Sequence, residues 1–247
     1  MKEPNSYPHA PITEALFDIQ VELPKEVTIS DLEQLSSDIL SRYPTKSTRK
    51  RFEGKIELKG DQGATTESID LGIDAFLNWS SDKKQVVQFR LDGFAFSRLK
   101  PYDGWDKHFP EVIKNWNLYA EKLSPVWIKR IAVRFINTIE IPSEKLALDS
   151  YFVNFPKTPL EKSTLNNYFY RIELSLDDFN AKAVITQTLA QSNNPLITPV
   201  IFDLEVYREI SSRPETKMLS DAFKTLRDIK NDIFQKSLTQ KTKDLFK

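Results

Sequence analysis

Two carboxylates, Asp70 and Asp74, stand four residues apart in a stretch that alternates like a β-strand, so both point to the same side of it. Such a pair could hold a divalent cation or act as general acid and base. The plainer reading, adopted here, is a solvated sheet face stitched by cross-strand ion pairs. Arg90, Arg130 and Arg134 fall on strand-like stretches beside acids such as Asp18, Glu173, Asp203 and Glu205. They could clamp a phosphate or carboxylate, but pairing with those acids is preferred. The two histidines, His9 in a proline-rich lead-in and His108 beside Phe109, have no motif around them and read as surface or packing residues.

The most distinctive run is Phe89 to Trp105, where aromatic residues interleave with Arg98 and Lys100 and end on Tyr102 and Trp105. Such a run could stack bases and hold phosphates, or anchor a protein partner through Trp, Tyr and Arg. The preferred alternative is that Phe94, Phe96 and Trp105 plug the core where a strand hands over to a helix. The candidate binding set is Arg90, Arg98, Lys100, Tyr102, Trp105, Arg130 and Arg134. No catalytic set, metal-ligand set or cofactor is assigned.

Composition narrows the field. The chain has no cysteine, which excludes disulfides, zinc–thiolate sites, iron–sulfur clusters and thiol nucleophiles. Only six glycines occur and none forms a phosphate-binding or dinucleotide fingerprint. Basic and acidic residues balance at 35 each, so nucleic acid or an anionic membrane would have to meet a local patch. Short basic runs, such as Arg49-Lys50-Arg51 and the lysine-rich tail, read as solvated surface. Hydrophobic residues make up 40% of 247, enough for a substantial core. No apolar run is long enough to cross a bilayer, and residues 1–10 lack the apolar region of a secretory signal. The expectation is a soluble cytoplasmic protein of one compact unit, residues 1–247.

The elements that must position these residues follow from periodicity. Ala15, Phe17, Ile19, Val21 and Leu23 alternate as a strand that Pro24 stops. Ser30 and Glu33 suggest a capping box ahead of a helix with Leu32, Leu35 and Ile39 on one stripe. Three strands follow, at 51–59, 66–79 and 85–91, with a turn at Gly60–Gly63. In the second of them Ile69, Leu71, Ile73, Ala75, Leu77 and Trp79 form the clearest apolar face of the chain. Gly93–Tyr102 reads as an aromatic loop, and Asp103–Leu123 as a helix that Pro110 should kink or restart. The second half predicts a long strand from Trp127 to Ile141 and a segment punctuated by Pro156 and Pro159. Strands near 167–176, 182–190 and 201–208 come next, then a closing helix with Leu219, Phe223, Leu226, Ile229 and Ile233.

The two halves look alike. At an offset of 118, Phe17 faces Phe135, Leu23 faces Ile141 and Pro24 faces Pro142. Further on, Phe89-Arg90 faces Tyr207-Arg208 and Trp105 faces Phe223. The expected fold is α+β: two similar β-α-β3-α halves, 14–123 and 127–236. They would form a largely antiparallel sheet with helices on one face and the other exposed.

Four short blocks carry a family resemblance. They are Pro11–Ile19, Gly93–Tyr102, Arg134–Pro142, and Lys230–Phe234 with Ser237-Leu238-Thr239. In order and spacing they resemble a sporadically distributed family of uncharacterised bacterial and archaeal proteins of similar length. That resemblance implies no assigned activity or catalytic residue, and its patchy distribution implies mobile genes such as defence or toxin–antitoxin modules. The leading reading is therefore a non-catalytic binding protein with a protein partner, an accessory or antitoxin-like component; a homodimer is compatible with it. A nucleic-acid or nucleotide binder using the arginines is the alternative, and a metal-assisted hydrolase using Asp70 and Asp74 is the third. No membrane association is expected.

Overall fold

Strict alternation makes β1, Ile12–Glu22, the central strand: Ala15, Phe17, Ile19 and Val21 are all buried on one side. The computed structural model describes residues 7–58, 64–143, 148–157 and 165–247. The expected turn at Gly60–Gly63 and Pro159 lie outside the described residues. After β1 come α1 (Ile29–Asp38), β2 (Thr45–Leu58), β3 (Ala64–Trp79), β4 (Gln85–Arg90), β5 (Gly93–Leu99) and α2 (Trp105–Leu123). Then follow β6 (Trp127–Pro142), a short 3-10 turn at Leu148–Ser150, β7 (Phe169–Leu176), β8 (Ala181–Leu189), β9 (Ile197–Ser212), α3 (Thr216–Ser237) and α4 (Gln240–Asp244). The fold is α+β, with one nine-stranded antiparallel sheet in the order β2-β3-β4-β5-β1-β6-β9-β8-β7.

The alternation on β1 decides which face the helices cover. Phe17 lies against Phe96 and Phe135 of the flanking strands, Trp105 and Phe109 of α2, and Phe223 of α3. Leu32 and Leu35 of α1 belong to the same apolar cluster. A second cluster, around Ile139, Phe152, Phe202 and Leu238, continues this layer under the end of α3.

Several sequence expectations change. The cap of α1 is Thr28 with Asp31, not Ser30 with Glu33: the Asp31 carboxylate accepts from the Thr28 backbone N–H at 2.8 Å and its hydroxyl at 2.9 Å. Gly93–Leu99 is a strand buried on both faces, not a loop. The helix α2 runs through Pro110 without a restart. In β3 the conspicuous apolar face is not the core face. Register shifts near Lys50, with Gly72 at φ +81°, leave Ile69 54% exposed on a ribbon that β2 and β3 form beyond the end of β4. Phe76 and Asn78 face the helices instead.

The first half carries four strands after α1, not three, because Gly93–Leu99 is the strand β5 and not a loop. The offset of 118 holds across the central pair and fails beyond it. Phe17 pairs with Val133 and Ala15 with Phe135, two pairs that a shift of 118 exchanges. The same shift sets Phe89-Arg90 on β4 against Tyr207-Arg208 on β9, whereas the strand flanking the centre is β5 in one half and β9 in the other.

Candidate functional site

The helix-free face of the sheet collects three of the arginines expected to bind, Arg90, Arg130 and Arg134, and each of them meets acids. Small residues on β5, namely Gly93, Ala95 and Ser97, let Arg90 of β4 reach across that strand to Asp18 of β1, at 2.7 Å. Arg130 lies 3.7 Å from the other oxygen of Asp18, donates to Glu205 at 2.8 Å, and stacks 4.1 Å over the Tyr207 ring. Arg134 grips Asp203 through two nitrogens. Asp18 and Arg90 are only 7% and 9% exposed, so the middle of this face is a packed ionic layer. Asp70 and Asp74 form no joint site. Asp70 accepts from the Gly72 N–H and Lys50, while Asp74 takes both arms of Arg49. Among the described residues no group of three His, Asp or Glu side chains is placed to hold a metal ion.

The opposite side offers a cavity of about 700 Å³. Its walls come from four places. The chain before β1 crosses one side, tied down by Tyr7, which donates to Gln235 at 3.0 Å and sets its ring edge-on to Phe246. The His9 N–H bonds the Phe246 carbonyl at 3.1 Å, and the Pro11 carbonyl accepts from Thr138 at 2.9 Å. The floor is β6, with Phe135 and Asn137, whose amide donates to the Phe135 and Phe202 carbonyls. A third wall is Tyr102–Trp105, and the fourth is α3, with Arg227, Lys230 and Asn231.

Lys230 is the feature that sets this cavity apart. It is 7% exposed, and its Nζ lies 3.9 Å from the centre of the Phe135 ring. Among the described residues no carboxylate stands within ion-pair distance of it. Burial, with the Arg227 cation one turn away adding to it, pushes its pKa down to about 7. Arg227 lies 4.8 Å over the Trp105 ring. Across the cavity, Asp103 accepts from His108 and Lys107, with Arg98 at 3.9 Å. Burial of Asp103 pulls its pKa up, but the hydrogen bonds from Lys107 and His108 outweigh it and hold the carboxyl at about 2. Burial lowers the pKa of His108 against the pull of Asp103.

Of the expected binding residues, Tyr102 and Trp105 line the cavity. Arg98 stands behind it, donating to the Pro101 carbonyl at 3.1 Å and bracing the turn that carries Asp103. Lys100 is exposed, and Arg90, Arg130 and Arg134 lie on the other face. Phe94 and Phe96 are wholly buried against the helices, where no base could stack on them. Sequence reasoning missed Lys230, Asn137, Arg227 and Asn231. One signal was present: Leu219, Phe223, Leu226, Lys230 and Ile233 follow the four-three spacing of a buried stripe, with a lysine in an apolar place. Residues from all four blocks quoted for the family resemblance meet here, among them Ile12, Tyr102, Asn137 and Lys230.

No protein-family model and no curated protein matches the chain. Among the described residues no helix is long and apolar enough to cross a membrane.

Proposed function

We propose that the chain binds a small anionic molecule, one carboxylate or phosphate on a flat or apolar body, in the cavity between α3, β6 and the Tyr102–Trp105 segment. The carrying observation is Lys230, an amine buried at a cavity wall with no carboxylate among the described residues within ion-pair distance. Burying an unpaired charge costs several kcal/mol, and an anion in the cavity would offset that cost. Asn231 adds a donor, while Trp105, Tyr102 and Phe135 supply aromatic surface, the mix expected of a small-molecule site. The nucleic-acid reading loses force because Arg90, Arg130 and Arg134 are committed to Asp18, Glu205 and Asp203. The hydrolase reading loses force because Asp70 and Asp74 are held apart by separate partners.

Thermal melting of the whole protein with phosphate, oxalate, benzoate and a nucleoside monophosphate tests the reading. At least one should raise the melting temperature in a saturable way, and Lys230→Met should abolish that rise. Flat melting curves with all four, in wild type and variant alike, would dismiss it.

Binding of a protein partner is the second reading, favoured by the β2–β3 ribbon, which exposes Phe52 at 59% on one face and Ile69 and Leu71 on the other. Descent of the two halves from one duplicated unit is supported by the exchange of the Phe17–Val133 and Ala15–Phe135 pairs.

A further inference from the structure

Lys230 lines a cavity large enough for a metabolite-sized molecule, and although Asp103, Asp228 and Asp232 line it too, among the described residues no carboxylate is within ion-pair distance of the amine. We propose that Lys230 forms a reversible imine with a small carbonyl acid, an aldehyde or ketone bearing a carboxylate, and that the cavity is built to accept such a compound. The inference rests on the anion-binding reading and goes beyond it by naming the carbonyl and the bond it forms.

Three observations converge on the amine. The Phe135 ring below Nζ and the wall of Tyr102 and Trp105 withhold the water that would favour the ammonium form. Arg227, one turn earlier on α3, adds like-charge repulsion, and desolvation beside a second cation is how a lysine becomes a nucleophile at neutral pH. The amide of Asn231 lines the same cavity as the amine and could hold a carboxylate while the carbonyl carbon meets Nζ. In the reaction the nitrogen lone pair forms the C–N bond as the carbonyl π pair moves to oxygen. Both amine protons pass to that oxygen, and one water leaves. No oxidant or reductant takes part.

A lysine of ordinary pKa is neutral at pH 7 in only about one molecule in 10³, whereas Lys230 is close to half neutral. Capture at Lys230 should therefore outrun capture at an exposed lysine by about 10²-fold or more. The test treats the full chain with glyoxylate and sodium cyanoborohydride at neutral pH, followed by intact mass measurement and peptide mapping. Melting curves with glyoxylate and with oxalate, both without reductant, run alongside. A single early adduct mapped to Lys230 in the wild-type chain, and missing in Lys230→Met and Lys230→Arg, bears the proposal out. Adducts spread evenly over surface lysines would overturn it. If both acids raise the melting temperature but Lys230 stays unmodified, the imine fails and anion binding stands. If neither acid shifts melting and no adduct forms at Lys230, both readings fail.

Discussion

Replacing Lys230 with methionine should stabilise the protein, an unusual outcome for a change at a buried position. Methionine keeps the unbranched shape of the chain and its place on the Phe135 ring while removing the charge. Folding lowers the lysine's pKa from 10.5 to about 7. At about 1.4 kcal/mol per tenfold change, that difference corresponds to roughly 4–5 kcal/mol of stability withheld while the amine must be charged. The contact with the Phe135 ring returns about 1–2 kcal/mol of this. The variant should thus gain roughly 2–4 kcal/mol near pH 7. The pH dependence has a definite sign. Between the folded and unfolded pKa values the unfolded chain binds more protons, so wild-type stability rises with pH from about 7 to about 10. The variant lacks that rise, and its advantage should shrink across the same window. The other titratable groups around the cavity are Arg227, Asp228 and Asp232 on α3, Tyr102 and Asp103 on the facing segment, and Tyr7 on the lead-in; of these, Arg227 acts on the amine. Urea unfolding of both proteins across this range provides the measurement. A variant that is less stable at every pH, by a constant amount, would show that Lys230 is solvated or paired and would refute the reasoning.

Gly93→Ala should cost about 2–4 kcal/mol in chemical denaturation, because its new Cβ would stand 2.1 Å from the Ile19 carbonyl at φ +153°; a neutral result would mean that β1 and β5 can separate freely. Arg90→Met should cost about 3 kcal/mol by leaving Asp18 buried beside only the longer Arg130 contact, and adding Asp18→Asn should recover part of that; strict additivity of the two changes would break the proposed coupling. Arg134→Ala should cost about 1 kcal/mol, less than Arg90→Met, since the Arg134 side chain is 44% exposed although Asp203 is only 14%.

How much of this was legible beforehand depends on whether neighbours in sequence or neighbours in space decide a residue's role. The central strand was readable because Ala15, Phe17, Ile19 and Val21 repeat with the period of the pleat and all meet one core. The same logic failed on β3, where Ile69, Leu71 and Ile73 repeat as regularly but lie on a ribbon that no helix covers. Periodicity reports a face and not what lies against it. Arg90 and Asp18 were both visible as charges on one sheet face. Their pairing across an intervening strand depends on the small side chains of Gly93 and Ala95, which no local pattern announces. The cavity was the least legible feature, because its walls come from the chain before β1, the turn after β5, the middle of β6 and the second half of α3.

The position of that cavity follows from how the core is divided. Ile229 belongs to the apolar cluster under the centre of the sheet, Phe234 packs on the second cluster, and Ile233 touches both. Lys230 stands at this seam, where α3 passes from one packed layer to the next. A buried lysine inside a continuous core would meet apolar atoms on every side and destabilise it by several kcal/mol. At a seam it opens into space that neither cluster fills, and the two clusters stabilise the fold independently of it. The local conflict of a charged residue in an apolar stripe is then the mark of a site and not of poor packing, since proteins give up stability where a site requires it. A stabilising effect of Lys230→Met and a loss of anion binding in the same variant would be two readings of one physical fact: the fold buries an amine that no carboxylate among the described residues pairs.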